Sequence, residues 1–295
     1  MYDVIIIGAG PAGITAGIYS KRANLKTLIL EKESIGGQIA SSPLVENFPG
    51  FKSISGAELA NNFYEQADNL DIPIEIEEVT KIIPGKIKKV ITDCGEYETK
   101  AIIIATGSKY RLLGLPNEVE LIGKGIAFCT SCDGAFFKDK VVAVIGGGNT
   151  AVTNALYMSN VASKVYLIVR EDKLMSEKVL ADKVEKKDNV EIFYNTEVKE
   201  IIGSEELEGL LLSNKNKIDV QGMFISIGMK PQTEILKDVV KLNDYNYVDS
   251  SDCNTSTDGI FVAGDCRDKK VRQLTTAVSD GAVAATSAIK YLENN

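Results

Sequence analysis

The stretch that decides the fold is Tyr2-Asp3-Val4-Ile5-Ile6-Ile7-Gly8-Ala9-Gly10-Pro11-Ala12-Gly13. Its first half is an apolar run of strand length, and its second half is a G-x-G-x-x-G loop. The next segment, from about Ile14 to Ala23, reads as a helix, and Lys26-Thr27-Leu28-Ile29-Leu30 reads as a second strand ending in Glu31. In such a unit each loop glycine has its own task. Gly8 makes the tight turn, Gly10 lets the backbone approach a pyrophosphate, and Gly13 lets helix and strand pack closely, with Pro11 and Ala12 in the same loop. The helix N-terminus then faces the phosphates. Glu31 lies 23 positions after Gly8, where an acid accepts a ribose hydroxyl. A bare glycine loop says little, but this one stands between strand and helix with the acid in register, which makes it a dinucleotide site.

Outward from this unit the design recurs. Lys140 to Glu171 contains an apolar strand, Val141 to Ile145, and the loop Gly146-Gly147-Gly148-Asn149-Thr150-Ala151. Gly146, Gly148 and Ala151 take the three loop positions, and a second strand from Val165 ends at Arg170 and Glu171. Strand-like runs follow at Glu191 to Tyr194, Gly209 to Leu212 and Gly222 to Ile227. The chain is therefore expected to be α/β, with two Rossmann-like dinucleotide-binding domains of three layers each.

Composition narrows the function. The 295 residues are enough for two cores, and 25% charged with 44% hydrophobic residues is ordinary for a globular protein. A net charge of −8 disfavours nucleic acid as a partner. No apolar run approaches the ~20 residues of a membrane span. The first residues enter a strand directly, with no targeting pattern, so the expected location is cytoplasmic. Five cysteines are too few and too odd in number for a secreted disulfide scaffold. There is no histidine, which excludes histidine metal sites and serine–histidine triads, and leaves proton transfer to carboxylates, thiols, lysines, tyrosines or a cofactor.

The reactive constellation is Cys129-Thr130-Ser131-Cys132-Asp133-Gly134. A C-x-x-C is a redox dithiol, half a zinc site or coincidence. Zinc needs two more ligands, and the sequence has no second C-x-x-C. Its place between two nucleotide folds favours the dithiol. Asp133 is either the acid–base group of the pair or a helix N-cap. Cys94, Cys253 and Cys266 read as structural.

Three more segments surround the first glycine loop in a telling order: Gly36-Gly37-Gln38, Ile102-Ile103-Ile104-Ala105-Thr106-Gly107, and Gly259-Ile260-Phe261-Val262-Ala263-Gly264-Asp265. Together they resemble the FAD domain of flavoprotein disulfide reductases. With Val45-Glu46-Asn47-Phe48-Pro49-Gly50, the C-x-x-C-D-G and the Arg272-Gln273-Leu274 segment, nearly the whole chain resembles the low-molecular-weight thioredoxin reductase family. The resemblance implies FAD at the first site and thioredoxin as substrate, in a homodimer. It implies that Asp265 holds the ribityl chain and that Arg272, Gln273 and Leu274, before a C-terminal helix from Thr275 to Leu292, lie along the flavin. It also implies that the second domain is inserted in the first, with the FAD-binding part at 1–113 and 244–295 and the insert, carrying the C-x-x-C, at 114–243. Cys132 would exchange electrons with FAD, Cys129 would attack the thioredoxin disulfide, and Asp133 would move the proton.

The electron source is where the chain departs from that family. NADPH-using members carry His-Arg-Arg-x-x-x-Arg after the second strand of the insert. Here the run is Val169-Arg170-Glu171-Asp172-Lys173-Leu174-Met175. The two glutamates after the family's glycine loop are Thr153 and Asn154, and its Gly-His-x-Pro-Asn-Thr is Gly228-Met229-Lys230-Pro231-Gln232-Thr233. Glu171 would repel a 2′-phosphate. It could bind the 2′-hydroxyl of NADH, but a switch to NADH explains Glu171 alone. The combined losses resemble the ferredoxin-dependent flavin thioredoxin reductases of anaerobic bacteria, in which NADPH does not bind productively and ferredoxin is the electron donor. A flavin dithiol oxidase using oxygen is a competing class. Ferredoxins are acidic, so docking on a chain of this charge needs a local basic patch. The densest basic run, Lys81 to Lys89, reads instead as a solvated hairpin.

Overall fold

A computed structural model describes residues 1–42 and 44–295. The chain divides into two compact units, residues 1–109 with 230–295, and residues 110–229. The second unit is continuous in sequence and the first is made of the two segments that flank it. The crossings expected near Leu113 and Asp244 compare with divisions at Lys109–Tyr110 and Met229–Lys230. The return comes earlier because Leu236, Val239 and Val240 are buried among Ile5, Ile7, Ile102 and Ile104, in a core of the first unit.

The first unit opens with β1 (Tyr2–Ile7), α1 (Pro11–Arg22) and β2 (Thr27–Glu31). Helix α1 starts earlier than expected because Pro11 occupies its first turn, where a missing N–H costs nothing. Then come α2 (Gly56–Asp68), β3 (Ile74–Ile76), β4 (Val79–Ile83), β5 (Lys88–Thr92) and β6 (Glu96–Ile104). Strands β3, β2, β1 and β6 run parallel, and β4–β5 is a hairpin added antiparallel to the first half of β6.

The crossing strands β7 (Ser108–Tyr110) and β16 (Met229–Pro231) pair with each other. Between them lie β8 (Ile126–Ala127), α3 (Thr130–Asp133), β9 (Val141–Ile145), α4 (Asn149–Met158), β10 (Lys164–Ile168), α5 (Lys178–Val184) and β11 (Val190–Phe193). Strands β12 (Val198–Ile202), β13 (Gly209–Leu212) and β14 (Lys217–Asp219) form a separate antiparallel sheet, and β15 (Gly222–Ile225) completes the parallel order β11-β10-β9-β15-β8. Back in the first unit, β17 (Ile260–Val262) pairs with the second half of β6, and the chain ends in α6 (Leu274–Glu293).

Both parallel sheets are apolar on both faces, as strands covered from two sides must be. Val4, Ile6, Ala101 and Ile103 face α1 and α6, while Ile5, Ile7, Ile102 and Ile104 face the opposite core. In the second unit Val142 and Val144 pack under α4, and Ala143 and Ile145 pack with the β12–β14 sheet. Each unit is therefore three-layered around a parallel sheet, in agreement with the expected fold class.

Candidate active site

The first glycine loop has the form its sequence implied. Gly8 adopts φ +110°, and a Cβ there would lie 2.3 Å from the Ala105 carbonyl oxygen. A Cβ on Gly13 would lie 1.8 Å from the Gly8 carbonyl oxygen, so α1 and the turn close on each other with no room for a side chain. Gly10 is the opposite case. A Cβ there would meet nothing within 4 Å, which leaves its backbone open to a ligand. Glu31 accepts from the Ala9 and Glu33 backbone N–H groups at 2.7 and 2.9 Å, so the acid lies against the loop.

The other residues assigned to FAD belong to the same unit. Gln38 Nε2 donates to the Ser108 carbonyl at 2.6 Å, beside the tip formed by Ala105, Thr106 and Gly107. Gly37, with φ +57°, approaches Gly10. Asn47 Nδ2 donates to Gln273 Oε1 at 3.4 Å. Gln273 caps α6 in a reciprocal arrangement with Thr276, Leu274 packs on the small core of Val45, Ile54 and Leu59, and Arg272 donates to the Asp265, Lys269 and Arg267 carbonyls with its guanidinium over the Tyr247 ring. Gly264 adopts φ +79° and donates its N–H to Asp280. The Thr106 hydroxyl is buried and has no hydrogen-bond partner among the described residues. An open phosphate turn and an unsatisfied hydroxyl at the tip of the adjoining strand fit a dinucleotide.

Two features of this unit were not read from the sequence. Asp265, Lys269, Asp280 and Arg267 form a half-buried to buried network. Lys269 Nζ reaches Asp280 Oδ2 at 2.9 Å and Asp265 Oδ1 at 3.2 Å, and Arg267 Nη1 reaches Asp280 Oδ1 at 2.9 Å. Burying charges on this scale is tolerated because each is paired. The other is Lys88. The run Lys81–Lys89 is the expected hairpin, but Lys88 is fully buried, against the expectation of a solvated run. Its ammonium donates to the Gly85 and Lys100 carbonyls and lies over the Tyr291 ring, and burial lowers its pKa. The available signal was the strand alternation, which puts Lys88 on the same face as Val90. Lys89 pairs with Glu96 at 2.6 Å, so Lys81 and Lys86 are the exposed members of that run without an ion pair among the described residues.

The second unit carries the cysteines. β8 pairs with β15, Phe128 stacks on Tyr110 with ring centroids 4.4 Å apart, and the chain turns into α3 at Cys129. The N–H groups of Cys132 and Asp133 donate to the Cys129 carbonyl at 3.2 and 2.9 Å. Cys129 and Cys132 are joined as a disulfide with Cα atoms 5.2 Å apart. Cys132 is exposed and Cys129 half-buried. Asp133 begins the next 3-10 turn, yet its side chain makes no capping hydrogen bond there, which removes the N-cap role. Burial pushes its carboxyl up to about 6, into the range where it exchanges a proton near neutrality. Cys94, Cys253 and Cys266 are free thiols outside the disulfide, the last two buried and hydrogen-bonded to backbone carbonyls.

The second glycine loop is also formed, and a Cβ on Gly148, as on Gly10, would meet nothing within 4 Å, so its backbone is equally open; what differs is the segment after β10. Arg170 donates from Nε and Nη2 to Glu171 Oε1 at 3.2 and 2.9 Å. The Met175 N–H donates to the Gly147 carbonyl at 2.8 Å, and Asn149 accepts from the Glu177 N–H at 2.7 Å, so the loop after β10 folds onto the glycine turn. Val169 is buried, and Thr153 is exposed. Asn154 is not part of this group. It bonds to Thr130 and Ser226, under the cysteine helix.

With this geometry in place, comparison identifies the chain's relatives. It matches the pyridine nucleotide-disulphide oxidoreductase family over residues 2–281. It is 41% identical over 301 residues to the thioredoxin reductase of Bacillus subtilis (strain 168), covering 99% of this chain and 95% of that protein. It resembles the crystal structure of thioredoxin reductase from Streptococcus pyogenes MGAS5005 with a TM-score of 0.96 at 40% identity, over 100% of this chain and 99% of that one. A ferredoxin-flavin thioredoxin reductase from Clostridium acetobutylicum is similar at 29% identity and a TM-score of 0.55, over 100% of this chain and 99% of that one.

Proposed function

Because the chain belongs to the pyridine nucleotide-disulphide oxidoreductase family and, within it, to the thioredoxin reductases, we propose that it reduces thioredoxin through Cys129 and Cys132 with electrons from reduced ferredoxin rather than NADPH. Members of this family are FAD-binding flavoproteins. FAD, when bound, supplies a carrier that accepts electrons singly and delivers them in pairs. Gly8, Gly10, Pro11, Ala12, Gly13 and Glu31 would hold its adenosine and pyrophosphate, and Gly37, Gln38, Asn47, Ala105, Thr106, Gly107, Gly264, Asp265, Arg272, Gln273 and Leu274 its flavin half.

The protein's own chemistry is thiol exchange. In the reduced pair the Cys129 thiolate attacks the thioredoxin disulfide, forming a mixed disulfide and releasing one thioredoxin thiolate. Asp133, as a carboxylic acid, gives that thiolate its proton. The Cys132 thiolate then attacks Cys129 Sγ, which restores the Cys129–Cys132 bond and releases the second thioredoxin sulfur.

The observation that carries the choice of donor is the Arg170–Glu171 pair. The one arginine retained in the phosphate-reading run is paired with the acid beside it, so a 2′-phosphate would meet a carboxylate where the family's run places a second arginine. Energetics allow the alternative. Plant-type ferredoxin near about −400 mV and thioredoxin near about −270 mV leave roughly 6 kcal/mol downhill for two electrons. Similarity to a ferredoxin-flavin thioredoxin reductase supports the reading. A second reading, NADH, is favoured by the position of Glu171, whose Oε2 lies 3.6 Å from where a Gly147 Cβ would be, against the glycine turn. The enzyme is further proposed to be a cytoplasmic homodimer, which sedimentation tests directly. The functional test is anaerobic turnover of thioredoxin with photoreduced ferredoxin. Turnover that requires both proteins and vanishes in Cys129→Ser supports the proposal, and no turnover in the wild-type protein contradicts it.

A further inference from the structure

Helix α4 begins at the second glycine loop, and its middle lies against the short helix of the redox pair. Thr130 is buried, and its hydroxyl donates to Asn154 Oδ1 at 2.7 Å. Asn154 Nδ2 donates in turn to Ser226 Oγ at 2.8 Å, and Ser226 is buried just past the end of β15. Both ends of one amide are thereby engaged, the oxygen by the C-x-x-C segment and the nitrogen by the sheet. One turn further along α4, Tyr157 and Met158 face Gly134. A Cβ on Gly134 would lie 2.8 Å from a Tyr157 ring carbon and 3.0 Å from the Met158 sulfur. Residues 154, 157 and 158 fall at i, i+3 and i+4, so a single face of α4 is the floor on which the Cys129–Gly134 segment rests.

We propose that Asn154 is a positioning residue for the redox pair. By tying Thr130 to Ser226 it holds the Cys129–Cys132 turn in its disulfide-closed form and makes that disulfide harder to reduce. The half-reaction takes up two electrons and two protons, breaks the Sγ–Sγ bond and leaves two thiols. Separating the sulfurs requires the turn between them to relax, and an anchored Thr130 resists that relaxation. An interaction present in one state and weakened in the other shifts the equilibrium by its difference between the two. The proposal concerns the dithiol alone and stands whichever donor reduces the protein.

The test is equilibration of the full-length protein, without oxygen, in mixtures of reduced and cyclic oxidised dithiothreitol. Dithiothreitol gives up both electrons and both protons as it closes its own disulfide. Free thiols are then alkylated and counted by mass. Thr130→Val and Asn154→Ala should each move the equilibrium toward the dithiol about tenfold, equivalent to about 30 mV in a two-electron couple. The double variant should shift no further than either single, because both act through the same bond. Ser226→Ala should shift it less, since the Thr130–Asn154 bond remains. Asn160→Ala, an exposed amide just beyond α4, should not shift it. Thr130→Val and Ser226→Ala keep side-chain volume nearly constant, so the series remains informative if Asn154→Ala loosens the helix. An unchanged equilibrium in Thr130→Val, additive shifts in the double variant, or an equal shift in Asn160→Ala would overturn the proposal.

Discussion

Asp133 stands beside the reactive pair with its carboxyl raised to about 6 by burial. A carboxyl that holds its proton more tightly in the folded state than in the unfolded chain weakens folding as the pH rises from near 4 to near 6, and the cost is complete above that window. Asp133→Asn, which removes the charge, should therefore stabilise the protein at pH 7.5 by about 1–2 kcal/mol after allowance for solvent screening, and change little at pH 4. Thermal or urea unfolding at the two pH values checks this. The same substitution should slow thiol exchange with thioredoxin by about 100-fold or more if the carboxyl moves the proton. The division of labour between the sulfurs is tested by trapping. Cys132→Ser should accumulate a stable mixed disulfide between Cys129 and thioredoxin. If only Cys129→Ser yields a trapped complex, through Cys132, the roles are the reverse of those assigned. At this scale the sequence was readable where chemistry needs adjacent residues, as in Cys129-x-x-Cys132-Asp133. It was silent where a role depends on distant partners. Asn154 looked like a lost nucleotide contact because Thr130 and Ser226 are 24 and 72 positions away.

At the scale of elements, the glycine loops show how much a local pattern can carry. The first loop's turn, helix and acid were all legible because their geometry follows from backbone contacts within 30 residues of chain. Gly13→Ala should strain the contact with the Gly8 carbonyl, costing about 1–3 kcal/mol and loosening FAD. A melting temperature and a flavin-release assay would measure both effects. The second loop was equally legible as a turn, but a turn is not a ligand. What differs from the first loop is the segment from Arg170 to Glu177, which folds onto the glycine turn through Met175 and Glu177 and carries the Arg170–Glu171 pair. Glu171→Arg restores one charge-assisted contact, worth roughly 1.5–3 kcal/mol, but leaves Val169, Met175, Thr153 and Met229 as they are. Reduction by NADPH should stay at the wild-type level in that variant. Recovery of rapid NADPH use would show that Glu171 alone had blocked the site. The hairpin β4–β5 was placed correctly, whereas Lys88 was not, because composition outweighed the alternation that put it in phase with Val90.

For the whole molecule, two repeats of one design and the resemblance pointed to a second domain inserted in the first, and the chain divides into two compact units. The point of return was not foreseen, because nothing in Lys230 to Asp244 announces that Leu236, Val239 and Val240 complete the first unit's core. The charge pattern beside the second glycine loop motivates the central proposal, that electrons enter this thioredoxin reductase from an iron–sulfur protein. The most direct measurement is the flavin absorbance of the purified holoprotein, without oxygen, mixed in parallel with millimolar NADPH, millimolar NADH and reduced ferredoxin. Bleaching by ferredoxin alone, followed by reduction of the Cys129–Cys132 disulfide, is the expected result. Fast bleaching by NADH or NADPH would contradict it and show that the second glycine loop holds a nicotinamide cofactor after all.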